Sequence, residues 1–106
     1  MNKLNHKDTY AVVDIETTGG NVASGDRMIQ FGCVLIEDDK IVHRFATTIN
    51  PLTSIPKQIE HLTGLSNKSV ALAPYFEDVA ATIYNLLEDC IIVAHNIQFD
   101  YIFLSG

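Results

Sequence analysis

Two carboxylates, Asp14 and Glu16, stand two positions apart at the end of a short apolar run at residues 10–13. Side chains alternate along a strand, so both acids project to the same side. Adjacent carboxylates repel, and each resists ionisation unless a cation lies between them. A hard divalent ion prefers such oxygen ligands, so the spacing predicts a metal site. The alternative is a pair of solvent-facing acids on an edge strand, but the apolar run is typical of a central strand buried on both faces.

A third acid, Asp100, follows a second apolar run at residues 90–94, with His95 and Asn96 in between. If the two runs are parallel neighbours in one sheet, their carboxyl ends meet at the edge where ligands bind in open α/β sheets. Asp100 then lies in the first turn of the next helix and can point back over that edge. A third carboxylate that converges on the pair indicates a metal site more strongly than the pair alone. The alternative for Asp100 is an acid that only stabilises the start of the helix through the helix dipole.

The segments that must position these acids alternate between strand-like and helix-like patterns. Strands are predicted at residues 10–16, 28–37, 41–49 and 90–94. Helices are predicted at residues 56–62, 66–70, 73–88 and from about 98 onward. A tight turn at residues 38–40 joins the second and third strands in a hairpin. A right-handed crossover places the fourth strand beside the first, which gives an α/β fold with a mixed sheet and flanking helices.

Size and composition allow one small domain. Of the 106 residues, 47% are hydrophobic, which suffices for a core and is too high for disorder. We expect residues 1–8 to be a flexible lead-in and residues 9–106 to form the domain. The sequence has neither an apolar run of the roughly 20 residues that span a membrane nor a secretion signal, which predicts a soluble cytoplasmic protein. The net charge of −6 disfavours a broad basic face for nucleic acid, but it permits an enzyme that engages phosphates through bound cations.

The two acidic segments resemble the motifs of a known family. Asp14-Ile-Glu16-Thr-Thr-Gly followed by His95-Asn-x-x-Phe-Asp100 resembles the first two motifs of the DEDD (DnaQ-like) exonucleases. That family has a ribonuclease H-like fold, so the resemblance implies a ribonuclease H-like mixed sheet with flanking helices.

The segments outside the two motifs resemble the same family. Residues 25–32 resemble its second strand, and residues 55–66 resemble the segment before its long helix, so the resemblance spans residues 9–104. Within the family, residues 73–80 and 93–101 are most similar to the N-terminal exonuclease domain of DinG-type helicases of Gram-positive bacteria. The epsilon-like proofreading exonuclease of the replicative DNA polymerase is the second possibility.

The resemblance implies hydrolysis of phosphodiester bonds, one nucleotide at a time, at the 3′ end of a nucleic acid. Two Mg²⁺ or Mn²⁺ ions would stabilise the attacking hydroxide and the leaving oxygen. Asp14 would bridge both ions, Glu16 would bind one ion and touch the terminal 3′-hydroxyl, and Asp100 would hold the second ion. These three acids are therefore the expected catalytic and metal-binding residues.

The resemblance also implies a substrate and partners. Thr17 and Thr18 would offer backbone groups to the terminal nucleotide, and Asn96 and Phe99 would support the single strand, although Phe99 is equally suited to the core. The substrate would be the 3′ end of single-stranded DNA, or RNA. The domain would be part of a longer polypeptide, a helicase or a polymerase, with no membrane partner.

One departure from the family is informative. The family has a third motif, a histidine followed by an aspartate, and these 106 residues contain no such pair after the second motif. We therefore expect the N-terminal part of an exonuclease domain, truncated before its last helices, with no general base in this chain. Such a chain should bind metal weakly and catalyse little. The alternative is a non-catalytic module that binds nucleic-acid ends or a partner protein, but such a module has no need to crowd carboxylates where phosphate binds.

Overall fold

The computed structural model describes residues 8–105 of the chain. The four strands of this part form one sheet in the order β3-β2-β1-β4. The strands are β1 (Thr9–Thr17), β2 (Met28–Glu37), β3 (Lys40–Thr48) and β4 (Ile91–Ala94). The helices are α1 (Lys57–Thr63), α2 (Asn67–Val70), α3 (Phe76–Leu87) and α4 (Ile97–Ser105), with a short 3₁₀ turn at Val22–Ser24. The predicted lead-in at residues 1–8 lies outside the described residues, apart from Asp8.

The mixed sheet and its flanking helices confirm the predicted α/β fold. β1 and β2 are antiparallel, as are β2 and β3, whereas β1 and β4 are parallel. β1 is thus an interior strand, and the crossover through α3 places β4 beside it as expected. None of the helices in the described residues is long and apolar enough to span a membrane.

Element boundaries differ from the predicted ones by a few residues. The long helix begins at Phe76 rather than at residue 73, because Tyr75 is still extended and its backbone N–H donates to the Asp78 carboxylate at 3.0 Å. Proline also disfavours the helical conformation of the residue before it, which keeps Ala73 out of the helix because Pro74 follows it. α4 begins at Ile97, one residue before the predicted start. Asp38 and Asp39 form the hairpin turn with φ values of 56° and 63°, a left-handed conformation that aspartate tolerates better than most residues.

The prediction that β1 is buried on both faces is wrong. Ala11, Val13 and Ile15 are buried, but Tyr10 and Val12 are 41% and 40% exposed. The reason is that α3 and α4 pack against the side of β1 that carries Ala11, Val13 and Ile15. The buried residues of β1 join a core cluster with Ile83 of α3 and Phe103 of α4, and half-buried residues of both helices pack against it. An uninterrupted apolar run does not reveal which of its side chains a helix covers.

The opposite side of the sheet is called the open face here, and Tyr10, Val12, Asp14 and Glu16 mark it on β1. In the parallel pair of β1 and β4, Tyr10 lies opposite Ile91 and Val12 lies opposite Val93. All four of these apolar side chains are exposed. The open face is therefore apolar near the start of β1 and acidic near its end.

Candidate metal centre

Asp14 and Glu16 lie near the carboxyl end of β1, on the open face. In the antiparallel pair with β2, Asp14 lies opposite Gly32 and Glu16 lies opposite Gln30. The Asp14 side chain is exposed and that of Glu16 is half-buried. Strand alternation thus puts both carboxylates on one side of the sheet, as the spacing predicted.

The parallel pairing of β1 and β4 brings the second acidic segment to the same edge. Val13 lies opposite Ala94, the last residue of β4. The next residues along the chain, Asp14 and His95, therefore lie at the same level of the sheet. Asp100 lies in the first turn of α4 and is only 7% exposed. Topology alone therefore places all three acids at the carboxyl ends of β1 and β4.

Asn96 has a structural role at the start of α4. Its side-chain Oδ1 accepts the Phe99 backbone N–H at 3.2 Å, and its carbonyl oxygen accepts the Asp100 N–H at 3.0 Å. A side-chain acceptor at this position satisfies a donor that the first turn of a helix leaves free. Asn96 thereby holds the turn that carries Asp100.

Phe99 packs within the protein. It is half-buried against the core cluster, and its ring centroid lies 4.7 Å from that of Phe103. This packing agrees with the core interpretation that the sequence left open. The predicted contacts of Phe99 and Asn96 with a nucleic-acid strand stay predictions.

Electrostatic interactions link the three acids through Asp14. Burial raises the pKa of Glu16, and the neighbouring Asp14 charge raises that pKa further. Burial also raises the pKa of Asp100, Asp14 again adds to the increase, and His95 opposes it. Asp14 therefore lies close enough to influence both other carboxylates. A cation bound among them would offset this repulsion.

In the described part of the chain, no group of three or more His, Cys, Asp and Glu side chains is arranged to hold a metal ion. The donor set nevertheless fits a hard divalent cation, because it consists of three carboxylates, and the charge of Asp14 acts on both of the others.

The turn after β1 is held by internal hydrogen bonds. The Thr17 hydroxyl donates to the Gly19 carbonyl at 2.8 Å. Thr18 is 3% exposed, and its N–H donates to the Arg27 carbonyl at 2.8 Å. The Thr18 hydroxyl accepts the Arg27 N–H and donates to Asp26 Oδ1, both at 3.0 Å. The N–H and hydroxyl of Thr18 are thus used within the protein, and the substrate contacts of Thr17 and Thr18 stay predictions.

Sequence reasoning missed Asp26. Its Oδ2 accepts the Asn21 N–H at 2.9 Å, so its carboxylate contacts both sides of the turn after β1. The available signal was weak: an aspartate in a glycine-containing loop that leads into a strand. That signal indicates a local turn but does not identify the partner.

A family model described as Exonuclease matches residues 11–106 of the chain. The chain is 46% identical to the 3′-5′ exonuclease DinG of Bacillus subtilis (strain 168) over 100 residues, which cover 94% of the chain. It is 42% identical to the 3′-5′ exonuclease DinG of Staphylococcus aureus (strain NCTC 8325) over 97 residues, or 92% of the chain. The chain spans 11% of the length of each of these curated relatives.

Solved exonuclease structures share the fold. Product-bound exonuclease I matches with a TM-score of 0.82 at 19% identity, over 93% of this chain and 24% of that one. The nuclease domain of 3′hExo, a DEDDh family member bound to rAMP, matches with a TM-score of 0.78 at 19% identity, over 95% of this chain and 58% of that one. Exonuclease X in complex with 5′ overhanging duplex DNA matches with a TM-score of 0.72 at 27% identity, over 86% and 51% of the two chains.

Proposed function

The chain belongs to the Exonuclease family, and from this membership we propose that it supplies the metal-binding half of a 3′-5′ exonuclease site that acts on nucleic-acid 3′ ends. The observation that carries the proposal is the grouping of Asp14, Glu16 and Asp100 at one edge of the sheet, with Asp14 acting electrostatically on both partners. The identity to DinG exonucleases supports a DinG-type domain over a proofreading subunit of the replicative polymerase.

The proposed cofactors are divalent cations, Mg²⁺ or Mn²⁺, with two ions in the intact site. When bound, such ions stabilise negative charge on the phosphate and lower the pKa of water. Asp14, Glu16 and Asp100 would hold them. Asp14 is exposed and open to ions from solvent, whereas the buried Asp100 keeps a proton more readily than an ordinary aspartate. Asp100 must be ionised to bind an ion, because a metal ligand must be deprotonated.

The turn after Glu16 is the proposed contact for the terminal nucleotide. The backbone of Thr17 and Thr18 directly follows the acidic pair, and internal hydrogen bonds hold it in place. Such preorganisation lowers the cost of fixing a substrate at the site. Asn96 and Phe99 are proposed to lie near the bound nucleic-acid strand. Their main role is to hold α4 in place, Asn96 by capping it and Phe99 by packing against Phe103.

The proposed substrate is the 3′ end of single-stranded DNA, or RNA, and the proposed setting is a longer polypeptide of DinG type. The chain's 11% share of the DinG relatives supports such a setting. By itself, the 106-residue chain is proposed to catalyse little, because its sequence contains no histidine–aspartate pair of the third motif. Mg²⁺-dependent digestion by this chain that persists through repurification would contradict that proposal.

The proposed function is tested with a DinG-type polypeptide that carries this domain and a 5′-labelled single-stranded oligonucleotide. We expect products that shorten from the 3′ end, that require Mg²⁺ or Mn²⁺, and that disappear in the Asp14→Asn variant. Asp8→Asn is the matched control, since it removes the same charge from an exposed residue just before β1. Binding without cleavage that is equal in the wild type and Asp14→Asn would instead identify a non-catalytic module.

A further inference from the structure

One carboxylate, that of Asp26, bridges the two sides of the turn after β1. Its Oδ1 accepts the hydroxyl of Thr18 at 3.0 Å, and its Oδ2 accepts the backbone N–H of Asn21 at 2.9 Å. Thr18 is buried, and its hydroxyl also accepts the Arg27 N–H. Hydrogen bonds to an ionised acceptor are roughly twice as strong as those between neutral groups. Asp26 therefore fixes the backbone that directly follows Glu16.

Gly19 provides the space for this carboxylate. A Cβ atom placed on Gly19 would lie 2.6–2.7 Å from three atoms of the Asp26 carboxyl group. The glycines of the described residues with a left-handed backbone are Gly25 and Gly64, so the constraint at Gly19 is one of space and not of φ. Gly19 and Asp26 are thus a matched pair, in which a side chain at the first would displace the second.

We propose that Asp26 is a positioning residue of the exonuclease site, and that it acts by holding the turn from Thr18 to Asn21 in the conformation that receives the terminal nucleotide. This inference rests on the proposed function. The Asp26 carboxylate bonds to Thr18 and Asn21 within the turn. We therefore expect its effect to pass through the backbone of the turn rather than through the metal-binding carboxylates.

Two binding measurements distinguish an effect of Asp26 on the turn from an effect on the metal-binding carboxylates. Calorimetry gives the Mn²⁺ affinity of the full chain, and fluorescence anisotropy gives its affinity for a 5′-labelled thymidine oligonucleotide in Ca²⁺. For Asp26→Ala we expect Mn²⁺ affinity within about twofold of the wild type and oligonucleotide affinity reduced by about tenfold, the usual effect of losing hydrogen bonds to a charged group. Asp39→Asn, at the far end of the sheet, is the charge-matched control and should change neither affinity.

The coupling with Gly19 gives the sharpest test. Gly19→Ala alone should also reduce oligonucleotide affinity by about tenfold, because its methyl group displaces the Asp26 carboxylate. In the Asp26→Ala background the obstruction is gone, so Gly19→Ala should reduce affinity by less than about twofold further. If Asp26→Ala unfolds the chain, Asp26→Asn replaces it, with an expected loss of about threefold since one acceptor oxygen remains.

Each outcome decides a different point. Additive losses from Gly19→Ala and Asp26→Ala would overturn the pairing, and unchanged oligonucleotide affinity in Asp26→Ala would overturn the positioning role while leaving the proposed function intact. Parallel losses of Mn²⁺ and oligonucleotide affinity would show that Asp26 acts on the metal ligands, which also overturns the proposal. A wild-type chain that binds neither probe would contradict both this inference and the proposed function.

Discussion

Asp14 lies close enough to Asp100 to raise the pKa of that buried carboxyl group, although most of the chain separates them in sequence. Their proximity results from the parallel pairing of β1 with β4, which ends with Val13 opposite Ala94. The Asn96-capped start of α4 then carries Asp100 towards the same edge. The crossover between β1 and β4 and one helix cap thus suffice to bring two distant acids together.

This repulsion should make the metal-free chain more stable when one of the charges is removed. We expect Asp100→Asn to raise the free energy of unfolding by about 1 kcal/mol, the scale of one close and partly screened charge pair. That gain corresponds to a rise in melting temperature of roughly 4–8 °C for a domain of this size. Thermal unfolding in a chelator measures it, with Asp8→Asn as control. A fall in melting temperature for Asp100→Asn alone would contradict the account.

The pH dependence of stability should follow from the same two acids. Burial and the Asp14 charge raise the pKa of Glu16 and Asp100, so the folded chain takes up protons at a higher pH than the unfolded chain. The metal-free chain should therefore gain stability as the pH falls through the raised pKa values of these two acids, and lose it as the pH rises through them. Melting temperatures across this range test the sign. The gain should be smaller in Asp14→Asn, and an identical profile in that variant would contradict the role of Asp14.

The strands, the hairpin and the α/β topology could be predicted because each depends on local patterns. Apolar runs, a turn of short polar residues and a crossover helix carry that information in the sequence. The one-sided burial of β1 could not be predicted, since Val12 and Val13 are both apolar and only the packing of α3 and α4 distinguishes them. The hydrogen bonds of Asp26 also went unpredicted, because a carboxylate in a loop does not reveal its partners.

Phe31 should be essential to the hydrophobic core. It is fully buried in β2 and packs against Phe45 with ring centroids 6.3 Å apart. Phe31→Ala should reduce the free energy of unfolding by about 3–5 kcal/mol, because it removes buried apolar surface and leaves a cavity. Urea denaturation measures this loss. Leu72→Ala is the control, since Leu72 is fully exposed and its removal should cost less than about 0.5 kcal/mol. Equal effects of the two changes would contradict the described core.

The open face should favour self-association. Tyr10, Val12, Ile91 and Val93 form an exposed apolar patch on two neighbouring strands. Such patches promote contacts between molecules in water. We expect sedimentation velocity to show concentration-dependent association of the chain. The double variant Val12→Thr/Val93→Thr should reduce it, because threonine keeps the branched shape of valine and adds a hydroxyl. A stable monomer of the wild type at every concentration would contradict this prediction.

The most direct measurement for the central claim is a calorimetric titration of the 106-residue chain with Mn²⁺. If Asp14, Glu16 and Asp100 form the metal-binding part of an exonuclease site, the wild type and Asp8→Asn bind weakly with similar affinity, and Asp14→Asn loses binding. The affinity should also fall as the pH is lowered, since protons compete with the ion for the two carboxylates of raised pKa. Equal binding by the wild type and Asp14→Asn, or no binding by the wild type, would contradict the account.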